Sequence, residues 1–158
     1  MGKEIERRFL AKGDAWRSLA EGVSFRQGFL STVKERVVRV RVAGGKGTLT
    51  VKGITTGYSK AEFEYEIPRE EAERMLDELC ERPLIEKQRF RIDHAGLTWE
   101  VDAFEGENAG LVIAEVELES EDQAVELPEW IDREISDDPR YFNSNLVQAP
   151  YSTWKDQA

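Results

Sequence analysis

The sequence predicts a fold of the α+β class that is mainly β: an eight-stranded antiparallel closed β-barrel, or tunnel, with a charged interior and flanking helices. Charged residues occupy every second position in one segment after another, and apolar residues fill the positions between them. Glycine-rich turns separate several of these segments. The 158 residues are enough for a proper core, so we expect a single domain over 1–158.

The strand predictions begin at the N-terminus, where Glu4, Glu6 and Arg8 stand two residues apart. In a β-strand these three side chains point to one face, because successive residues face opposite sides. The same alternation predicts eight strands, near 3–10, 23–31, 36–43, 47–53, 59–67, 84–93, 97–104 and 111–119. Turn sequences at 44–47, 93–96 and 106–110 indicate that the strands they join are antiparallel neighbours.

Three helices are expected between these strands. Asp14 is typical of an N-cap and predicts a short helix over 15–20. Apolar residues at helical spacing predict a second helix over 69–80, and a capping-box-like start at 120–123 predicts a third. The tail, 137–158, should contain a helical turn around 142–147 and cover an opening of the fold.

Composition excludes several classes of function. The net charge is −10 and no exposed basic run is evident, so we expect no nucleic-acid partner and no binding to anionic membranes. Cys80 is the single cysteine, which rules out an intrachain disulfide and suits a reducing compartment. No stretch resembles a signal peptide or a membrane span. A cytoplasmic location is therefore the expectation.

The alternating charges predict an ionic cavity more strongly than a solvated sheet face. Acids and bases are segregated by strand, and most of them are Glu and Arg, whereas solvated faces mix signs and favour Thr, Ser and Lys. The predicted inward set is Glu4, Glu6, Glu62, Glu64, Glu66, Glu100, Asp102, Glu115 and Glu117 with Arg8, Arg39, Arg41, Lys52, Lys87, Arg89 and Arg91. Buried charge on this scale is costly unless it is paired or binds ions. A polyanion held by the bases and divalent cations held by the acids would balance it.

Nine short motifs carry a resemblance to a known family. They lie at 4–8 (EIERR), 26–30 (RQGFL), 38–41 (VRVR), 49–52 (LTVK), 64–67 (EYEI), 86–90 (EKQRF), 99–102 (WEVD), 114–117 (AEVE) and 140–146 (RYFNSNL). In this order they resemble CYTH-domain proteins, the triphosphate tunnel metalloenzymes, from end to end. The chain departs from the family pattern at Arg8, where a Lys is usual, and at Phe29, where a Tyr is common.

The resemblance, in particular to small bacterial inorganic triphosphatases, implies hydrolysis of tripolyphosphate to pyrophosphate and phosphate with Mg²⁺ or Mn²⁺ as cofactor. We expect a small-molecule triphosphate substrate, and a homodimer is compatible with the outward apolar faces. The predicted substrate-binding residues are Arg8, Arg39, Arg41, Lys52, Lys87, Arg89, Arg133 and Arg140, since basic side chains suit phosphate oxygens. The predicted metal ligands are Glu4, Glu6, Glu115 and Glu117, because Mg²⁺ prefers carboxylate oxygens. The predicted catalytic residues are Glu4, Glu6, Arg8, Glu64, Glu66, Glu100 and Asp102.

Three alternatives stay open at this point. An adenylate cyclase of the class IV type would share the fold but needs a pocket for the base. A thiamine or nucleoside triphosphatase would need an aromatic shelf, for which Tyr58 or a Trp of the tail is a candidate. A non-catalytic polyphosphate-binding module belongs to a different class, and the many acids disfavour it because a pure anion binder gains nothing from inward carboxylates.

Overall fold

The computed structural model describes residues 3–157 as a predominantly antiparallel β-structure. It contains ten strands: β1 (Glu4–Ala11), β2 (Val23–Ser31), β3 (Val37–Ala43), β4 (Lys46–Lys52), β5 (Ser59–Lys60), β6 (Glu62–Ile67), β7 (Ile85–His94), β8 (Leu97–Phe104), β9 (Val112–Glu117) and β10 (Ile131–Glu134). Two α-helices accompany them, α1 (Arg69–Glu78) and α2 (Asn143–Gln148), with short 3-10 turns. No helix within these residues is long and apolar enough to cross a membrane.

The prediction of a closed eight-stranded barrel is wrong. Nine of the ten strands follow one another in the sheet in the order β10-β1-β9-β8-β7-β2-β3-β4-β6, and β5 pairs with β1 beside this path. The two ends of the sheet do not join in a continuous ladder. The predicted strand over 59–67 is interrupted at Ala61, and its halves pair with different neighbours. The two-residue β5 pairs with β1 at Glu4 and Ile5, whereas β6 pairs with β4.

The pairing of β1 explains why the sheet stays open. One edge of β1 pairs with β9, and the other is divided between β5 at one end and β10 at the other. Consequently β6 has no second strand partner within residues 3–157. The sequence prediction missed β10 because four residues, Ile131–Glu134, are too few to display an alternating pattern.

The helix predictions were partly correct. The second helix is α1, which begins after Pro68 and ends at Glu78. The first is only a 3-10 turn over Ala15–Ser18, and Asp14 makes no side-chain capping bond there. The third helix is absent: residues 118–130 form turns and extended chain. The helical turn predicted near 142–147 is α2.

The apolar side chains pack in three clusters. The outer face of β1, β8 and β9 packs around Trp99 with Phe9, Trp16 and Trp130. A second outer cluster lies under α1, where Ala72 and Leu76 pack on Val40 of β3. Close approach of α1 requires Gly47 on β4, because a Cβ there would lie 2.8 Å from the Ala72 Cβ.

The third cluster lies at one end of the inner face. Phe29, Ile85 and Phe104 share the inward orientation of the charged residues in their strands. They contact Tyr141 and Leu146 of the C-terminal segment, which is the chain that follows β10 and includes the tail. The tail therefore covers this end of the inner face, as its length suggested. The rest of the inner face keeps its charged side chains.

Leu76 and Leu79 offer a matched test of the α1 packing. Leu76 is fully buried and Leu79 is 67% exposed. We expect Leu76→Ala to lower the free energy of unfolding by about 2–5 kcal/mol through lost burial and a cavity. Leu79→Ala should change it by less than about 0.5 kcal/mol. Urea unfolding of both variants checks this, and equal losses would contradict the packing described for α1.

Candidate active site

The inner face of the sheet surrounds a cavity of about 810 Å³. Side chains from β1, β3, β7 and β9 line its walls, and Ser136–Pro139 and Phe142–Asn145 of the C-terminal segment close one part of it. The chain carries a net charge of −10, yet basic side chains slightly outnumber acidic ones along this cavity. The cavity therefore concentrates positive charge relative to the rest of the molecule.

Most of the predicted site residues meet in this cavity. Those that line it are Glu4, Glu6, Arg8, Arg39, Arg41, Lys52, Glu64, Lys87, Arg89, Glu100, Glu115 and Glu117. Asp102 lies behind the wall, bonded to two of its basic residues. Glu66 is exposed beside Lys46, outside the lining.

Two of the predicted substrate-binding residues, Arg133 of β10 and Arg140 of the tail, lie away from the cavity. Arg133 donates to the Tyr141 hydroxyl at 3.2 Å. Arg140 pairs with Asp138 at 2.7 Å and lies over the Trp154 ring. Neither belongs to the cavity lining, so the geometry does not bring them together with the other predicted substrate-binding residues.

A buried ion pair forms the base of the cavity. Lys87 Nζ lies 2.7 Å from Asp102 Oδ2, and both side chains are 1% exposed. Arg89 donates to the same carboxylate through Nε at 2.7 Å and Nη2 at 2.8 Å. Burial alone would raise the pKa of Asp102, but Lys87 and Arg89 hold it below its usual range. Burial lowers the pKa of Lys87 to about 7, a shift that Asp102 opposes.

Four acidic side chains of the paired strands β1 and β9 line the cavity: Glu4, Glu6, Glu115 and Glu117. Glu6 is the register partner of Glu117, and Glu115 is the partner of Arg8. Burial and repulsion from Glu115 and Glu4 raise the pKa of Glu6 well above its usual range. Burial would also raise the pKa of Glu115, but Arg8 and Arg89 hold it well below its usual range. The acids here repel one another, which is a condition that a cation would relieve.

Arg39 and Arg41 contribute positive charge that nearby acids only partly compensate. Burial, followed by repulsion from neighbouring guanidinium groups, lowers the pKa of both. Arg39 Nη2 donates to Thr50 at 3.1 Å and lies 3.5 Å from Glu64, but its buried Nε has no partner within residues 3–157. Arg41 Nε donates to the neutral Gln27 at 2.8 Å. Buried cations with so few carboxylate partners favour an anionic ligand.

Aromatic rings hold several of the basic groups. The guanidinium groups of Arg41 and Arg89 both lie 4.6 Å from the centre of the Phe25 ring. Arg8 and Lys60 each lie 5.5 Å from the Phe142 ring. Such cation–π contacts orient a cation without neutralising it, so its charge remains available to an anion.

The C-terminal segment holds Arg8 in place. Arg8 Nη2 donates to the Tyr141 carbonyl at 2.8 Å, and its backbone N–H donates to Ser136 Oγ at 2.9 Å. The guanidinium also lies 3.7 Å from Glu115. The guanidinium can bond to the Tyr141 carbonyl and lie beside Glu115 at once because its planar fork carries several donors, a geometry that a Lys ammonium does not reproduce.

Sequence reasoning missed several residues of this cavity. Lys60 lines it and stands two positions before Glu62, so the alternation in that segment places both on one face and could have identified it. Phe25 precedes Gln27 by two positions in β2 in the same way. Asn143 lies within the motif at 140–146, but no local pattern shows that it faces Lys87.

Comparison with known proteins identifies the family. Residues 2–148 match the family model of the CYTH domain. The chain belongs to the CYTH domain family. The resemblance inferred from the nine motifs is thereby confirmed.

Two curated relatives of this CYTH protein are named inorganic triphosphatase. The one from Acetivibrio thermocellus is 56% identical over 156 residues, covering 99% of this chain and 100% of that protein. The one from Nitrosomonas europaea is 35% identical over 148 residues, covering 91% of this chain and 96% of that protein. A crystal structure of an inorganic triphosphatase matches with a TM-score of 0.63 and 32% identity, covering 93% of this chain and 95% of that one.

The buried pair predicts a large effect of Asp102→Asn on stability. Removing the carboxylate charge leaves Lys87 and Arg89 buried without it, so the free energy of unfolding near pH 7 should fall by about 3–5 kcal/mol. Asp93→Asn, in the same hairpin but exposed, should change it by less than about 0.5 kcal/mol. Urea denaturation measures both, and a loss below about 1 kcal/mol for Asp102→Asn would contradict the role of the pair.

The same pair predicts how this effect depends on pH. Because the folded-state pKa of Asp102 is lowered, its contribution is complete above its unfolded pKa of about 4 and is lost as the pH falls through the lowered value. The difference in unfolding free energy between the wild type and Asp102→Asn should therefore shrink as the pH falls below about 4. A difference that stays constant down to about pH 2 would show that the carboxylate charge is not responsible.

Proposed function

We propose that this chain is an inorganic triphosphatase that hydrolyses tripolyphosphate to pyrophosphate and phosphate. The observation that carries the proposal is one cavity in which buried, undercompensated guanidinium groups face a cluster of mutually repelling carboxylates. A triphosphate with divalent cations has the charges that this arrangement lacks. The two relatives named inorganic triphosphatase, at 56% and 35% identity over nearly the whole chain, support the same substrate.

Arg39, Arg41 and Arg89 are proposed to bind the phosphate oxygens. Arginine groups form charge-assisted, often bidentate bonds with phosphate, and here they are held by Phe25, Thr50 and polar neighbours in a largely buried site. Lys52 and Lys60 would add positive charge near Glu4. Asp102 is proposed as a positioning residue, because its carboxylate holds Lys87 and Arg89 and does not line the cavity.

The carboxylates of β1 and β9 fit a divalent cation held jointly by the protein and its substrate. Within the described residues no three acidic, His or Cys side chains form a ready-made metal cage. Mg²⁺ commonly binds through one or two carboxylates plus phosphate oxygens, and the mutual repulsion of these acids favours such a cation. Glu4, Glu6, Glu115 and Glu117 are therefore proposed to hold Mg²⁺ or Mn²⁺, which would neutralise phosphate charge and polarise the phosphoryl group.

The reaction needs no covalent intermediate with the protein. Water attacks the terminal phosphorus in line, the bridging P–O bond breaks, and pyrophosphate leaves with the bond's electron pair. Glu64 and Glu100 are proposed to orient that water and accept its proton, since both line the cavity. The arginine groups would bind the charge that develops on the oxygens in the transition state, which is the main source of catalysis in phosphoryl transfer.

The remaining sequence-based expectations stay proposals. A cytoplasmic location, the absence of a nucleic-acid partner and a homodimer all agree with the net charge of −10 and with apolar side chains such as Tyr65 on the sheet surface. Phosphate release from thiamine triphosphate or ATP would identify a thiamine or nucleoside triphosphatase, whereas formation of cyclic AMP and pyrophosphate from ATP would identify an adenylate cyclase.

The first test is phosphate release from tripolyphosphate, ATP and thiamine triphosphate in parallel. We expect release from tripolyphosphate to exceed release from the other two by at least about tenfold, because the cavity is built for phosphate charge. Addition of EDTA should abolish the release, and Mg²⁺ or Mn²⁺ should restore it. Binding of tripolyphosphate without turnover under any metal would contradict the proposal and indicate a polyphosphate-binding module.

The second test replaces Glu4 by Gln. The amide still accepts the bond that Lys52 Nζ donates at 3.0 Å but lacks the charge proposed for metal binding. Tripolyphosphate hydrolysis should fall by about 10²–10³-fold at low Mg²⁺ concentration. Glu86→Gln, on the exposed outer side of β7, is the control and should retain wild-type turnover. Equal activity of Glu4→Gln and the control would exclude Glu4 from the machinery.

A further inference from the structure

Two neutral amides connect the basic groups at the base of the cavity. Arg41 Nε donates to Gln27 Oε1 at 2.8 Å, and Gln27 Nε2 donates to Asn143 Oδ1 at 3.0 Å. The same Asn143 oxygen accepts a bond from Lys87 Nζ at 3.0 Å. The chain of bonds runs from β3 through β2 to α2 and β7. It therefore joins the C-terminal segment to two of the proposed substrate-binding residues.

Arg41 and Lys87, at the two ends of this chain of hydrogen bonds, determine the orientation of both amides. Arg41 has donors only, so the Gln27 atom that faces it must be oxygen, and the Gln27 nitrogen then points to Asn143. Paired with Asp102 at 2.7 Å as an ammonium, Lys87 likewise has donors only, so the Asn143 atom that faces it must also be oxygen. Both ends require the same arrangement, so the orientation does not depend on distinguishing nitrogen from oxygen by position alone.

This orientation leaves the Asn143 amide nitrogen facing away from the network. Asn143 is half-buried and lines the cavity, whereas Gln27 is fully buried behind the wall. Within residues 3–157, no acceptor bonds to Asn143 Nδ2. Its two hydrogens are therefore available at the cavity surface, beside Lys87.

We propose that Asn143 is a further substrate-binding residue, donating from Nδ2 to an oxygen of the bound oligophosphate, and that Gln27 is the positioning residue that holds it in this orientation. The inference rests on the proposed function of the cavity. A neutral donor adds a bond to a phosphate oxygen without adding charge. The C-terminal segment thus takes part in substrate binding as well as in covering the inner face.

Asn143→Asp tests the substrate contact with little change of shape. The carboxylate retains the oxygen that accepts from Lys87 and Gln27 but replaces the donor group by a second acceptor. Ser144→Asp is the matched control, because Ser144 lines the same cavity and makes no side-chain hydrogen bond within the described residues. Both variants add one negative charge, so their difference reports the lost bond.

The first measurement is tripolyphosphate affinity by calorimetry with EDTA present, which prevents turnover. We expect Asn143→Asp to weaken binding at least about tenfold more than Ser144→Asp, since a hydrogen bond to a charged group is being removed. The thermal unfolding temperature of Asn143→Asp should stay near that of the wild type, because both accepting bonds of the side chain remain. Equal weakening in the two variants would overturn the proposal.

The second measurement observes the Asn143 side-chain amide directly by NMR, with its resonances assigned by their loss in Asn143→Asp. We expect them to shift and exchange more slowly with solvent as tripolyphosphate is added in EDTA. Gln27→Glu should weaken this response, because its carboxylate repels the Asn143 oxygen and attracts the amide nitrogen, while the bond from Lys87 to that oxygen remains. Gln88→Glu, on the outer side of β7, should preserve it.

The outcomes separate this inference from the proposed function. Asn143 resonances that stay in place while the wild type binds and hydrolyses tripolyphosphate would overturn the inference alone. A wild-type chain that binds no tripolyphosphate would contradict the proposed function, and this inference with it. An Asn143 response as large in Gln27→Glu as in the wild type would show that Gln27 is not the positioning residue.

Discussion

Asp102 lies between Lys87 and Arg89 where almost no solvent reaches, and each of these charges is stable there only because the others are present. Ions removed from water cost several kcal/mol each unless close partners of opposite sign replace the water. The three residues come from β7 and β8, which pair directly, so the hairpin and its buried charges stabilise one another. The remaining charged side chains of the cavity surround this fixed centre.

The buried charges at that centre are fully paired with groups of opposite sign, whereas the charges around it are only partly paired. Asp102 accepts from two bases, whereas Arg41 is bonded to a neutral amide and stacked on Phe25. The acids of β1 and β9 repel one another in the same way that the guanidinium groups do. A site organised like this gains stability when an anion and cations bind together. This is the physical link between the fold and the proposed triphosphatase activity.

The C-terminal segment contacts both the apolar end of the inner face and the charged cavity. Its apolar residues, Tyr141 and Leu146, cover the end of the inner face where the charged pattern stops. Between them, Phe142 and Asn143 face the cavity and contact basic side chains of three strands. Packing and the proposed substrate binding are therefore coupled within a few residues of the tail, which carries α2 and three short 3-10 turns.

The sequence by itself determined most of the strands, their inward faces and most of the cavity residues, because alternation with a period of two is a local property of the chain. It also placed α1, where apolar spacing and Pro68 agree. Only the tertiary structure decided that the sheet stays open, that β5 and β6 separate at Ala61, and that Asp102 is enclosed while Glu66 is exposed. Those outcomes depend on which strand edges find partners and on which charges meet across long sequence separations. No local pattern encodes the contact between Lys87 and Asn143, which are brought together only by the packing of the tail against the sheet.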